Sequence, residues 1–280
     1  MKLQELLKNI PVLETNADPE LEITGVCYDS RKVTEGNLFV AITGFASDGN
    51  RFIPMALSKG AAVVVTAKKP EGEVPYVLVE NDRLALALIG TNLCGNPAKA
   101  MKLIGVTGTN GKTSTTLLLK QVLEKCLGAK VGLIGTMSNL IGDEELATER
   151  TTPESLELQE LFGKMRDTAC THVVMEVSSH ALTLDRVGGV HFDVAAFTNL
   201  TEDHLDFHKT MEDYCDAKAM LFARCDKAVI NVDDNYAPRM LEKADCDVLR
   251  TSAYDADLYA KDAVLHSEAC PSLLSAARKR

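Results

Sequence analysis

The stretch GVTGTNGKTS at 105–114 follows the apolar pair Leu103-Ile104 and opens a helix-like run over 115–125. Read from Gly105, the spacing is GxxxxxGKT, one residue longer than the common GxxxxGKT, set between a strand pattern and a helix pattern, the context in which such a glycine-rich GKT match signifies a phosphate-binding loop. Glycines at these positions let backbone N–H groups turn inward onto phosphate oxygens, and the helix N-terminus adds partial positive charge. Lys112 then neutralises the β/γ-phosphates and the Thr113 hydroxyl faces Mg²⁺. A glycine-rich turn without a ligand lacks the Lys-Thr pair, so the motif implies a bound nucleoside triphosphate. The loop residues assigned to ATP are Gly108, Thr109, Asn110, Gly111, Lys112, Thr113 and Ser114.

Charge and cysteine usage narrow the partners. A formal net charge of −10 argues against non-specific nucleic-acid binding, which needs a basic face. An anionic substrate must then be held by local positive groups. Eight cysteines are scattered without a CxxC pair, which fits reduced thiols in a cytoplasm better than a disulfide framework or a zinc site. Residues 1–8 alternate charged and apolar positions, so they read as an amphipathic helix and not as a signal peptide or membrane span.

Taken in order, 1–98 reads as a small α/β domain: strand patterns at 26–31, 37–42, 61–66 and 76–79, a helical pattern at 53–59, and a second helix at 81–94 stopped before Pro97. A second domain, 99–268, repeats strand patterns at 130–134, 171–177, 194–198 and 228–232 with helical spacing between them. Such alternation predicts a mostly parallel sheet covered on both faces, with ligands gathering at the carboxyl ends of the strands. The fold class expected is therefore α/β, a small N-terminal domain followed by a phosphate-loop ATPase domain.

Several polar residues fall at those strand ends. Glu176 follows the apolar run 173–175 and stands where a carboxylate can face the metal. Ser178-Ser179-His180 comes next; adjacent side chains lack the geometry of an activated serine and no GxSxG elbow is present, so hydroxyls that bind substrate are the better reading. Arg186 is available for a carboxylate or phosphate. The segment 198–208 packs three acids and two histidines into one loop, suited to metal or phosphate contact, although a lone histidine is more often a structural hydrogen-bonder. Lys218 lies in an amphipathic stretch, and its spacing alone places it on the surface.

Together these residues resemble the Mur ligases. The matching segments are Asp29-Ser30-Arg31 with 36–41, then 105–113, Thr151-Thr152-Pro153, the EVSSHAL stretch at 176–182, and 198–218. EVSSH favours the branch of the family that adds the third residue of the peptidoglycan stem peptide. The resemblance implies that Tyr28, Ser30 and the loop Phe45-Ala46-Ser47 hold the uridine-diphosphate end of a UDP-N-acetylmuramoyl-dipeptide, and that Thr151, Thr152, Ser178 and Arg186 hold its dipeptide end. It further implies a magnesium site of Thr113, Glu176, His204 and Lys218, with Lys112, Glu176, His204 and Lys218 carrying catalysis. In the family the lysine matched by Lys218 is an N6-carboxy derivative, a carbamate formed with CO₂, which converts a cation into an anion able to position Mg²⁺.

The activity so implied is ATP-dependent amide formation through an acyl phosphate, with diaminopimelate or lysine as the amine donor, in a cytoplasmic monomer without membrane or nucleic-acid partners; the 280-residue form is expected to be incomplete and inactive for the full ligation. Family members continue for roughly 200 more residues with an amino-acid-binding, Rossmann-like domain. Here 269–280 shows neither strand alternation nor the family's continuation and reads as an atypical tail from a frameshift or early stop, or as a short basic helical tail. The alternatives are a non-catalytic module that binds nucleotide or UDP-muramoyl-peptide, the dipeptide-adding ligase, and a folylpolyglutamate-type ligase.

Overall fold

A computed structural model describes residues 1–44, 48–261 and 275–278. The chain forms two compact units. One comprises Met1–Lys99, Pro153–Asp167 and Leu184–Gly189; the other comprises Ala100–Thr152, Thr168–Thr183 and Val190–Arg280.

The first unit is built on a five-stranded sheet of β1 (Val12–Thr15), β2 (Gly25–Cys27), β3 (Asn37–Ala41), β4 (Val63–Thr66) and β5 (Tyr76–Val79), in the order β1-β5-β4-β3-β2. Strands β2 to β5 are parallel and β1 pairs antiparallel at the edge. Every residue of β3 and β4 is buried, as continuous apolar runs must be in a parallel sheet covered on both faces. The period-two alternation sends Leu38, Val40, Val63 and Val65 to one side, against Leu86 and Ile89 of the helix Asp82–Leu93 and Leu156 of the helix Ser155–Asp167. Phe39, Ala41 and Val64 go to the other side, against Ile53 and Ala56 of the helix Ile53–Ser58. Asn81 starts the helix Asp82–Leu93 by accepting hydrogen bonds from the Arg83 and Leu84 backbone N–H groups.

Two expectations are corrected here. The strand pattern at 26–31 stops at Cys27, because the Asp29 carboxylate accepts from the Arg31 backbone N–H at 3.0 Å and folds the chain into a turn. The amphipathic start narrows to the helix Leu3–Leu6, whose two leucines are buried. Strand β1 had no signature to find, since all four of its residues are exposed.

The second unit holds a ten-stranded sheet: β6 (Lys102–Thr107), β7 (Val131–Ile134), β8 (Asn139–Ile141), β9 (Glu144–Leu146), β10 (His172–Glu176), β11 (Phe192–Phe197), β12 (Cys225–Asn231), β13 (Asp247–Ser252), β14 (Leu258–Lys261) and β15 (Ser275–Arg278). The order is β15-β14-β13-β12-β11-β6-β10-β7-β8-β9, parallel from β14 to β7 and antiparallel at both ends. The tail therefore supplies a strand where the sequence shows none: the backbone of β15 pairs with β14 along the sheet edge.

Leu117, Leu119 and Leu123 of the helix Lys112–Leu127 pack on Val106, Val131, Leu133 and Val174. Strand β6 lies between β10 and β11, where successive connections leave in opposite directions, and such a switch point opens a crevice at the strands' carboxyl ends. Among the described residues no helix is long and apolar enough to cross a membrane.

Leu38, with 0% of its surface exposed, and Val12, with 37%, test the burial argument. Leu38→Ala should lower the unfolding free energy by about 2–5 kcal/mol. Val12→Ala should change it by less than about 0.5 kcal/mol. Urea denaturation curves of the two variants check both.

Candidate functional site

The phosphate-loop sequence leaves the end of β6 and turns into the helix Lys112–Leu127. Gly108 has φ +146°, and a Cβ built there would lie 1.9 Å from the Thr198 hydroxyl, so only glycine fits. The chain after β11 backs the loop: Thr109 N–H donates to the Asn199 carbonyl (2.8 Å), Asn110 N–H to the Asn199 side-chain oxygen (2.9 Å), and the Thr198 hydroxyl to the Asn110 carbonyl (2.8 Å). The Thr109 hydroxyl accepts from Thr201 N–H at 3.0 Å and lies 3.2 Å from the Tyr214 hydroxyl. Ser114 lies exposed in the first helical turn.

Glu176 ends β10 level with Val106 of β6, a register that brings its carboxylate to the mouth of the loop. It is 1% exposed. The Thr113 hydroxyl donates to Oε1 at 2.9 Å, Thr136 N–H donates to Oε1 at 2.9 Å, and the Thr136 hydroxyl donates to Oε2 at 3.1 Å. A Cβ at Gly135 would stand 2.5 Å from Oε1, so a second glycine leaves room for the acid. Thr136 was not singled out from sequence, although a Gly-Thr pair just past a strand end is the signal that the carboxyl-end rule offers. Thr113 hydroxyl and Glu176 carboxylate form an all-oxygen donor pair of the kind Mg²⁺ takes, so the residues present fit that ion.

Two lysines converge on one carbonyl. Lys112 Nζ donates to the carbonyls of Gly108 (2.9 Å) and Thr109 (2.8 Å), and Lys218 Nζ donates to the same Gly108 carbonyl at 2.9 Å. Lys218 is 1% exposed, which corrects the surface position its spacing implies. Its ammonium lies 4.4 Å from the centre of the Tyr214 ring, one helical turn earlier, a cation–π contact that spacing of four permits and the sequence reading missed. Burial, reinforced by the neighbouring Lys112 charge, pulls Lys218 down to about 7. Burial also lowers Lys112, against the pull of Glu176 and Asp203.

The remaining candidates occupy several settings. His204 sits on left-handed backbone (φ +53°) beside Asp203, with its ring edge-on to His180 at 4.9 Å. Among the described residues no group of three or more His, Cys, Asp or Glu side chains is placed to hold a metal ion. The Thr152 hydroxyl donates to the Glu176 carbonyl at 2.9 Å and accepts from Ser178 N–H at 3.2 Å, fixing the turn after β10. Ser178 Oγ accepts from Ala181 N–H at 3.1 Å, and Thr151 Oγ1 lies 3.0 Å from Thr136 Oγ1.

In the first unit, the Tyr28 hydroxyl donates to Glu157 at 2.5 Å, and Ser30, 6% exposed, points its hydroxyl at the Met55 sulfur, 3.4 Å away. Arg186 Nε lies 2.8 Å from Glu154, a partner the sequence did not suggest. Phe45, Ala46 and Ser47 lie outside the described residues.

His208, the second histidine of the 198–208 segment, is buried with Nε2 2.8 Å from the Ser179 hydroxyl. Burial, then His180 and Lys218, lowers it from 6.5 to about 4. The unfolded chain thus takes up this proton first, so the stabilisation is complete above pH 6.5 and is lost as pH falls towards 4. Between pH 7 and 4 the unfolding free energy should fall by about 3 kcal/mol more in the natural chain than in His208→Asn. Chemical denaturation across that range measures the difference.

Fold and site define a phosphate-loop α/β protein. The profile of the Mur ligase middle domain matches residues 106–277, and that of the Mur ligase family catalytic domain matches 22–88; the chain belongs to the Mur ligase family. The middle-domain match reaches well into the segment read from sequence as an atypical tail. A UDP-N-acetylmuramoyl-L-alanyl-D-glutamate–2,6-diaminopimelate ligase of Clostridium tetani is 47% identical over 276 residues, covering 95% of this chain and 56% of the relative. A ligase of the same name from Clostridium botulinum is 52% identical over 228 residues, covering 80% of this chain and 47% of the relative. A solved structure of a ligase so named superposes with a TM-score of 0.81 at 29% identity, covering 94% of this chain and 55% of that one. The chain spans about half the length of the curated relatives it matches.

Proposed function

We propose that this chain is the substrate- and ATP-handling part of a ligase that joins diaminopimelate to UDP-N-acetylmuramoyl-L-alanyl-D-glutamate, forming an amide bond at the expense of ATP. The observation that carries the reading is the Thr113–Glu176 pair beneath the loop, with Lys112 beside it. Names of the relatives supply the substrate and the amine donor, and a nucleotide-linked precursor of this kind places the work in the cytoplasm.

In this reading the loop's backbone N–H groups and Lys112 hold the triphosphate. Phosphate oxygens are stronger acceptors than a peptide carbonyl, so rotation of its stem moves the Lys112 ammonium from Gly108 and Thr109 onto the ligand. Thr113 and Glu176 would hold Mg²⁺, which would supply positive charge against that developing on the transferred phosphoryl group. A substrate carboxylate attacks the γ-phosphorus, ADP leaves, and the incoming amine displaces phosphate from the acyl phosphate. Tyr28, Ser30 and 45–47 are assigned to the uridine-diphosphate end, and Thr151, Thr152, Ser178 and Arg186 to the dipeptide. His204 serves the metal region.

Lys218 is assigned the carbamate. A lysine held near 7 keeps a large neutral fraction at physiological pH, and only the neutral amine adds CO₂, releasing one proton as the N–C bond forms. The product replaces a cation that repels Lys112 with an anion that attracts it.

Assay of ADP formation with ATP, UDP-muramoyl-dipeptide and diaminopimelate tests the proposal. Lys112→Ala should abolish turnover, and undiminished phosphate release from that variant would sink the assignment. Substrate binding with no ADP formed in the natural chain would favour the binding module instead. For the carbamate, labelled bicarbonate should give a ¹³C carbamate resonance in the natural chain and none in Lys218→Arg.

A further inference from the structure

Strand β12 opens with Cys225, and Cys246 immediately precedes β13. The two strands run parallel side by side, Lys227 opposite Asp247, so both cysteines stand at the same end of neighbouring strands. Their sulfurs are 3.5 Å apart. Adjacent strands lie about 4.8 Å apart, within the Cα separation of about 4.4–6.8 Å that a disulfide spans. Both thiols are free and reduced, Cys225 buried and Cys246 partly exposed.

We propose that Cys225 and Cys246 are a covalent modification site, an oxidisable dithiol at which a peroxide closes a disulfide. The order of events follows from access. The thiolate of the partly exposed Cys246 attacks a peroxide oxygen; the O–O bond breaks, a sulfenic acid forms, and hydroxide leaves to be protonated to water. Cys225 sulfur then attacks the sulfenic sulfur, the S–O bond breaks, and water departs with the Cys225 proton. Two thiols lose two electrons in total and the peroxide gains them. Burial, then Cys246 and Asp226, raises the Cys225 thiol to about 12, so this sulfur is the resolving partner and not the first to react.

Closure would strap a functional stretch. Between the two cysteines, Asn231 Nδ2 donates to the Thr198 carbonyl at 2.8 Å, and the Asp234 carboxylate accepts from Leu200 N–H at 2.7 Å. Those contacts hold the chain that backs the phosphate loop.

The test treats the intact chain with hydrogen peroxide, blocks remaining thiols by alkylation and digests with trypsin. Cleavage after Arg224, Lys227, Lys243 and Arg250 isolates Cys225 and Cys246 on separate short peptides. The expected product is those two peptides joined, 2 Da below their summed thiol masses and separated again by dithiothreitol, with a melting temperature raised by roughly 5–10 °C before digestion. In Cys246→Ala, Cys225 should stay alkylatable and peroxide should leave the melting temperature unchanged. Recovery of both natural peptides singly alkylated, under conditions that oxidise the exposed Cys126, overturns the proposal. So does a cross-link from Cys225 to any other cysteine.

Discussion

The second unit depends on how one buried charge is satisfied. Glu176 is an anion at the end of a central strand with almost no surface left to water, a placement that costs several kcal/mol unless donors replace the lost hydration. Three donors do so, one from Thr113 at the start of the loop helix and two from Thr136 past β7. Because the donors come from two different connections, the carboxylate fixes the phosphate loop against the chain that follows β7. The acid proposed to hold a cation is thus preorganised by the contacts that make its burial tolerable.

Positive charge is handled by a different principle. Lys112 and Lys218 share the Gly108 carbonyl, and the Tyr214 ring faces the second ammonium. Proximity of two cations disfavours both charged forms, and burial adds to the effect. A bound polyanion would resolve the repulsion by giving each ammonium an acceptor, and the proposed carbamate would resolve it by changing the sign of one partner.

Sequence reading reached the residues whose chemistry is local. The loop was legible because glycine spacing, the Lys-Thr pair and the flanking patterns all lie within one short stretch. Glu176 was legible because an acid closing an apolar run marks a strand end. Thr136, Tyr214 and Glu154 were not, since each matters through a partner set by strand register or helix packing, which periodicity does not report. The spacing of Lys218 describes an amphipathic helix but not which neighbour covers it. Strands β1 and β9 escaped because their residues are exposed or only partly covered and leave no hydrophobic rhythm. Turn chemistry at Asp29 overrode a strand pattern that apolar neighbours had suggested.

The division of the chain into units carries a consequence for biogenesis. Pro153–Asp167 and Leu184–Gly189 belong with Met1–Lys99, although much of the second unit's sequence is translated between them. Leu156 completes an apolar cluster begun by Leu3 and Leu6. A nascent chain emerging from the ribosome therefore holds an unfinished first core until residue 189 is available, and must begin the larger sheet in the meantime. Contacts so distant in sequence slow folding through loop-closure entropy, and they make the two halves co-dependent products of one synthesis instead of independent modules made in turn.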